Sequence, residues 1–322
     1  MALVITKYTK HLFGLVAATY MASGNLQHAE ATDTLRIPAF DVVTGLDDAR
    51  SLVLRSDGQL FLTEVGTDRI MIYRTDFFGY ENKIKEGESP ARKNADADPD
   101  KKDHARMGTA PDSLITSIEV SYVPDLDQPD GLSLVMDTYV AVVSSGSGHV
   151  HLLDEDMGYM RSLAVPPWAL GDRPFQPTDV TSNEFGELFV LDTAALRVYH
   201  FNANGGYLQY LELQDMHQPG RLVYHSESLF ITDPESGKIH VLTDNGRPLA
   251  TIGTFPSLSR VRIIDDMIWV ISGEVVHLFT MAGGHVGNVM ADPPSQRILD
   301  VTGSDNRVFL LTTGSLYFWT FE

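Results

Sequence analysis

The feature that most constrains this chain is a short apolar strand that returns at a regular interval. Its clearest copy lies in PTDVTSNEFGELFVLDTAALRVYHF, residues 177–201. There Thr178 to Ser182 reads as one strand and the Gly186 turn as its end. Leu188 to Leu191 then forms a wholly apolar strand, and after a turn opened by Asp192 a third strand covers Arg197 to Phe201. A continuous apolar run between turn residues suits a strand buried on both faces. The same middle strand recurs at Leu60–Leu62, Val140–Val142, Leu229–Ile231, Ile268–Val270 and Val308–Leu310. Its central column is Phe61, Ala141, Phe189, Phe230, Trp269 and Phe309. Over its later members the column advances by about 40 residues a step, the period of a propeller blade, a small sheet that buries its faces only against its neighbours. Six copies predict an all-β, six-bladed β-propeller.

One interval is irregular. Phe61 to Ala141 spans about two repeat lengths, which raises a seventh blade, yet only Leu114 to Val123 alternates like a strand there. Lys83 to Asp112 is dense in charge and too poor in apolar residues to order itself. It is expected to be a mobile insertion between the third and outer strands of blade one. Within it Asp96, Asp98, Asp100 and Asp103 suggest a calcium loop, but Lys101 stands where an EF-hand needs glycine and Met107 where it needs glutamate. A solvated charged loop is the expectation.

At the ends, the last repeat has three strands and an unassigned strand, Thr34 to Val43, precedes the first. That N-terminal strand is predicted to supply the outer edge of the last blade and close the ring. Before it, Lys7, Lys10 and His11 precede the apolar run 12–22, and Ala29-Glu30-Ala31 offers small residues just before a cleavage point at Thr32. Residues 1–31 therefore read as a signal peptide, with the propeller over 32–322. The run is too short to span a bilayer comfortably, so cleavage is expected over an uncleaved anchor, with no membrane span in the mature chain. With no cysteine and no Asn-x-Ser/Thr site, bacterial export to the periplasm or exterior is expected. The net charge of -19 excludes nucleic acid as a natural partner.

A small turn, an apolar strand ending in an acidic residue, four residues and then a basic strand make up GELFVLDTAALRVYHF, and GQLFLTEVGTDRIMIY and SLFITDPESGKIHVL repeat it. The pattern resembles the NHL repeat, a propeller family. The resemblance implies the architecture but little chemistry, because such rings serve as binding platforms, sensors, lactonases, lyases and dehydrogenases. The metal-dependent lactonases of this kind hold one divalent ion with a Glu, an Asn and an Asp. In the matching places this chain carries Arg50-Ser51, Thr178 and Gly220. No GxSxG motif or cysteine offers a nucleophile.

Candidate residues fall into three columns. His151, His240 and His277, with His200 beside them, occupy third strands and point outward around a ring. They cannot converge on one metal and are expected to pack or to bond between blades. Glu64, Ser144, Asp192, Asp233, Ser272 and Thr312 end the second strands and are expected to cap turns. The channel mouth gathers Arg50, Asp130, Asp179, His217, Arg221, Arg260 and Asp300, either as mutually paired charge or as a ligand site. The sequence therefore suggests a monomeric binding or assembly module for a protein or small ligand, without catalytic residues, metal or cofactor. The alternative is a divalent-metal lactonase.

Overall fold

The computed structural model describes residues 34–38, 40–75, 115–292, 297–304 and 307–320. The signal peptide expected over 1–31 and the insertion expected over 83–112 lie outside the described residues. Blade one consists of β3 (Ala49–Leu54), β4 (Gln59–Glu64), β5 (Arg69–Thr75) and β6 (Ile115–Ser121). Blade two is β7 (Pro129–Val135), β8 (Tyr139–Ser144), β9 (His149–Leu153) and β10 (Tyr159–Ser162). A four-residue helix, α1 (Pro167–Leu170), leads into blade three: β11 (Pro177–Ser182), β12 (Leu188–Asp192), β13 (Arg197–Phe201) and β14 (Tyr207–Glu212). Blade four is β15 (Leu222–His225), β16 (Ser228–Asp233), β17 (Lys238–Thr243) and β18 (Pro248–Ile252). Blade five is β19 (Leu258–Ile264), β20 (Met267–Ser272), β21 (Val275–Thr280) and β22 (His285–Asp292). Blade six is β23 (Ile298–Ser304), β24 (Arg307–Thr312) and β25 (Ser315–Thr320).

The chain is thus an all-β propeller of six sheets, closed by its N-terminal segment. Closure differs in one respect from the single strand expected over Thr34 to Val43. The segment is divided into two strands. The second, β2 (Phe40–Thr44), runs antiparallel to β25 and completes blade six, with Phe40 opposite Phe318. The first, β1 (Thr34–Pro38), adds to blade five as a fifth strand, parallel to β22. Pro38 ends β1, in keeping with a residue that cannot donate to a ladder. One segment therefore covers two sheet edges on neighbouring blades.

The ring is held by six apolar clusters, and each is built from residues of two neighbouring blades. Alternation along the second strand explains this. In β4, Leu60 and Leu62 pack with Phe309 of blade six, while Phe61 packs with Val140 and Val142 of blade two. Phe189 in turn faces Leu229, Phe230 faces Ile268, and Trp269 faces Val308. Both faces are buried, which is why these strands are apolar without interruption. Burying one such aromatic contributes about 1.5–3 kcal/mol.

The turns are equally local in origin. In blade three, Asn183 Oδ1 accepts the backbone N–H groups of Phe185 and Glu187 at 3.0 and 2.9 Å, and Gly186 takes a positive φ of 78°. The residues ending the second strands fasten the loop from the preceding blade as well as their own turn. Asp192 accepts from Gln176 and Ala195, Asp233 from His217 and Gln218, and Glu64 from Asp47 and Thr67. Ser144 Oγ accepts the Asp127 N–H and Thr312 Oγ1 the Ser315 N–H, whereas the Ser272 hydroxyl donates to the Pro256 carbonyl.

Candidate functional site: the axial charge cluster and the blade-three rim

The innermost strand of most blades carries a one-residue register shift near its start, as between Ala49 and Leu52, Pro129 and Leu132, Pro177 and Asp179, Leu258 and Arg260, and Ile298 and Asp300. A bulge of this kind re-aims the side chain that follows it. The pairing makes Ser51, Gly131, Asp179, Arg221, Arg260 and Asp300 equivalent positions around the axis.

Two linked groups form there. In the first, Arg221 donates to Asp130 Oδ1 at 2.6 Å and to the Thr178 carbonyl at 3.0 Å, and faces Asp179 Oδ1 across 4.0 Å. Asp179 Oδ2 accepts the Leu222 N–H at 3.0 Å. In the second, Arg262 grips Asp300 with two parallel bonds, Nε to Oδ1 at 2.7 Å and Nη2 to Oδ2 at 2.6 Å. Arg260 reaches the same carboxylate at 3.2 Å, together with Ser51 Oγ and the Arg50 carbonyl. Asp300 also accepts the backbone N–H groups of Leu52 and Val301. Arg260 is 2% exposed and Asp300 is fully buried, so these charges have left water and are held by each other.

The electrostatics follow from burial and partnership. Burial alone would raise the Asp300 carboxyl, but Arg260 and Arg262 overcome it and hold the group below the ordinary carboxylate value. Burial pushes Arg260 down to about 10, with Asp300 opposing and Arg221 and Arg262 adding like-charge repulsion. For Arg221 burial works downward and is outweighed by Asp130 and Asp179, so its guanidinium is raised. Arg221 also feels Asp300 and Arg260 feels Asp179, so the two groups share one field. Three guanidinium groups, Arg221, Arg260 and Arg262, balance the carboxylates of Asp130, Asp179 and Asp300.

Of the channel-mouth residues named from sequence, Asp130, Asp179 and Arg221 meet in one group and Arg260 and Asp300 in the other. Arg50 turns its side chain outward to Asp48 at 2.7 Å and contributes its carbonyl. His217 is exposed on the loop before blade four, where its N–H donates to Asp233. Sequence reasoning missed Arg262 and Ser51. Arg262 was legible as the residue two beyond Arg260 on the same strand face. Ser51 was not, because the bulge moves the inward position from Arg50 to Ser51.

A divalent ion of the kind that the resemblance to metal-dependent lactonases implies does not fit this set. Asp300 is occupied by two arginines and Asp130 by a third, and a cation among them would meet three guanidinium charges. Among the described residues no group of three His, Asp or Glu side chains is placed to hold a metal ion. The third-strand histidines are also engaged locally. His151 Nδ1 meets Ser162 Oγ at 3.0 Å, His277 Nδ1 meets Asn288 Oδ1 at 2.8 Å, and His200 stacks on Phe189. For His151 and His277 the partner is on the outer strand of the same blade, not on a neighbouring blade.

A second site lies on the rim of blade three. The connection from Ser162 to Pro177 is the longest between described blades, and α1 stands within it. Ala169 is buried and Leu170 packs against the apolar cluster shared by blades two and three, so the helix is fastened by its apolar residues. Arg197 adds a bond to the Ala169 carbonyl at 3.0 Å while lying 4.1 Å from the Tyr210 ring centre. Trp168, on the other side of the turn, is left 73% exposed, edge-to-face with Tyr207. Trp168, Leu170, Arg197 and Tyr210 border a cleft of about 560 Å3 that also touches Asp172, Arg173, Glu212 and Gln214.

No family model matches the chain, and no curated protein matches its sequence. Its fold is similar to a gluconolactonase from Xanthomonas campestris, at 13% identity and a TM-score of 0.58 over 91% of this chain and 99% of that one. It is similar to virginiamycin B lyase from Staphylococcus aureus at 13% identity and a TM-score of 0.54, covering 86% and 82% of the two chains. A chain of the nidogen/laminin complex matches at 12% identity and a TM-score of 0.58, covering 80% and 85%. Identities this low carry the architecture and not the chemistry. The protein is a six-bladed β-propeller whose axis carries a buried, mutually neutralised charge cluster.

Proposed function

We propose that the protein is an exported, NHL-like propeller that serves as a binding or assembly module for a protein or small ligand, without catalysis of its own. The observation that carries this reading is the commitment of the axial carboxylates. Asp300 is paired with Arg262 and Arg260 and Asp130 with Arg221, which leaves neither carboxylate free to ligate a cation at the axis. The axial cluster then acts as a structural hub that ties blades one, five and six together at one end of the field and blades two, three and four at the other. Binding falls to the surface, where the blade-three rim presents a fixed aromatic and a cleft. The likeness to a chain of the nidogen/laminin complex is compatible with a ring of this fold taking part in a protein assembly.

The rival reading, a lactonase, draws on the likeness to gluconolactonase. Purified mature protein, dialysed without chelator, should carry no stoichiometric divalent metal by elemental analysis. It should not accelerate hydrolysis of gluconolactone with calcium, magnesium, manganese or zinc added. Metal-stimulated turnover abolished by Asp130→Ala or Asp179→Ala would replace the binding reading with the hydrolytic one.

A further inference from the structure

The geometry points to the cleft beside α1 as a carbohydrate subsite, in which the indole of Trp168 stacks on a sugar ring. This rests on the reading of the protein as a binding module and names the ligand class that its rim would take.

Trp168 is the starting observation. An indole 73% exposed is an unusual use of the largest apolar side chain, since its burial would contribute more than that of almost any other residue. It is also fixed rather than loose. The residue after it is buried, Leu170 is packed into the blade-two and blade-three core, Arg197 holds the Ala169 carbonyl, and Tyr207 contacts the ring edge-to-face at 5.5 Å. A rigid aromatic platform loses little conformational entropy when a ligand lies against it.

The surroundings select the ligand. Asp172 and Glu212 are matched by Arg173 and Arg197, so the cleft has no net charge to favour an anion or a cation. Its exposed polar groups are carboxylates, guanidinium and the Gln214 amide, planar groups with paired acceptors or donors that suit neighbouring hydroxyls. Its apolar surface comes from the exposed indole together with the half-buried Leu170, Leu196 and Tyr210. A pyranose combines these needs, because its C–H face meets the negative face of an indole while its rim is a belt of hydroxyls. At about 560 Å3 the cleft falls within the range of small-molecule sites and accommodates a short oligosaccharide.

The test is an array of neutral and acidic oligosaccharides probed with the mature chain, followed by titration calorimetry of any retained sugar against wild type, Trp168→Ala, Trp168→Phe and Phe185→Ala. Neutral sugars should be retained. Trp168→Ala should weaken binding by roughly tenfold or more, Trp168→Phe should keep most of it, and Phe185→Ala, an exposed aromatic on another turn, should leave it unchanged. Retention of no sugar, retention of acidic sugars alone, or affinity indifferent to Trp168→Ala would overturn the subsite. In each of those cases the binding-module reading survives unless the lactone assay is also positive, so the two failures are separable.

Discussion

Arg262 and Asp300 face each other in a two-point pair, Nε to Oδ1 at 2.7 Å and Nη2 to Oδ2 at 2.6 Å, that joins blade five to blade six at the centre of the ring. Asp300 holds Arg260 as well, and it accepts the Leu52 N–H of blade one. Replacing it by alanine leaves two buried guanidinium groups without their counter-ion. Asp300→Ala should cost about 3–5 kcal/mol in urea unfolding, and Asp300→Asn, which retains shape and some acceptors, should cost less. A loss below about 1 kcal/mol, the scale of an exposed pair, would show that the cluster does not hold the ring.

Gly131 is required by a close approach. A β-carbon there would stand 2.7 Å from Asp179 Cα and would press on Asp179 Oδ1. Gly131→Ala should destabilise by about 1–3 kcal/mol or more through overpacking. Gly287→Ala offers the control, because nothing lies within 4 Å of its added carbon. Equal midpoints of thermal unfolding for the two variants would contradict the close contact of blades two and three.

The two N-terminal strands should differ in weight. Deletion through Pro38 removes an added fifth strand from blade five, whereas deletion through Thr44 takes the outer strand that blade six needs to reach four. The longer deletion should lower the unfolding temperature well beyond the shorter one and promote self-association through the opened edge. Differential scanning calorimetry with light scattering would measure both effects.

Four histidines, His151, His225, His240 and His277, are depressed below their ordinary value of 6.5, burial being the main cause in each. The unfolded chain therefore binds more protons just below pH 6.5, and stability is lost as pH falls through that value. Asp57, Asp233 and Asp300 are depressed below 3.8, so their contribution is present above that value and is lost only in stronger acid. Thermal midpoints recorded from pH 8 to pH 3 should fall in two stages. A flat profile between pH 7 and pH 5 would contradict the burial of these rings.

The blades were legible because their signal is local. An aromatic or small residue at the centre of each apolar strand, from Phe61 to Phe309, must be buried on both faces whatever its neighbours are, and turn chemistry such as Asn183 with Gly186 punctuates the runs. Charged residues near the inner-strand starts were legible as a set for the same reason. Their partners were not. Whether Arg50 or Ser51 points inward depends on a bulge, and a shift of one residue exchanges the two faces.

The amino-acid sequence alone determined a closed ring of six blades, since forty-residue repeats with apolar middle strands have few other ways to bury themselves. Only the tertiary structure decided that the N-terminal segment divides between two blades, that Arg262 joins Arg260 on Asp300, and that Trp168 is fixed at the edge of a cleft. Each of these depends on contacts between residues distant in the chain. Periodicity records which face a side chain occupies, and only the closed ring brings such faces within hydrogen-bond reach of one another.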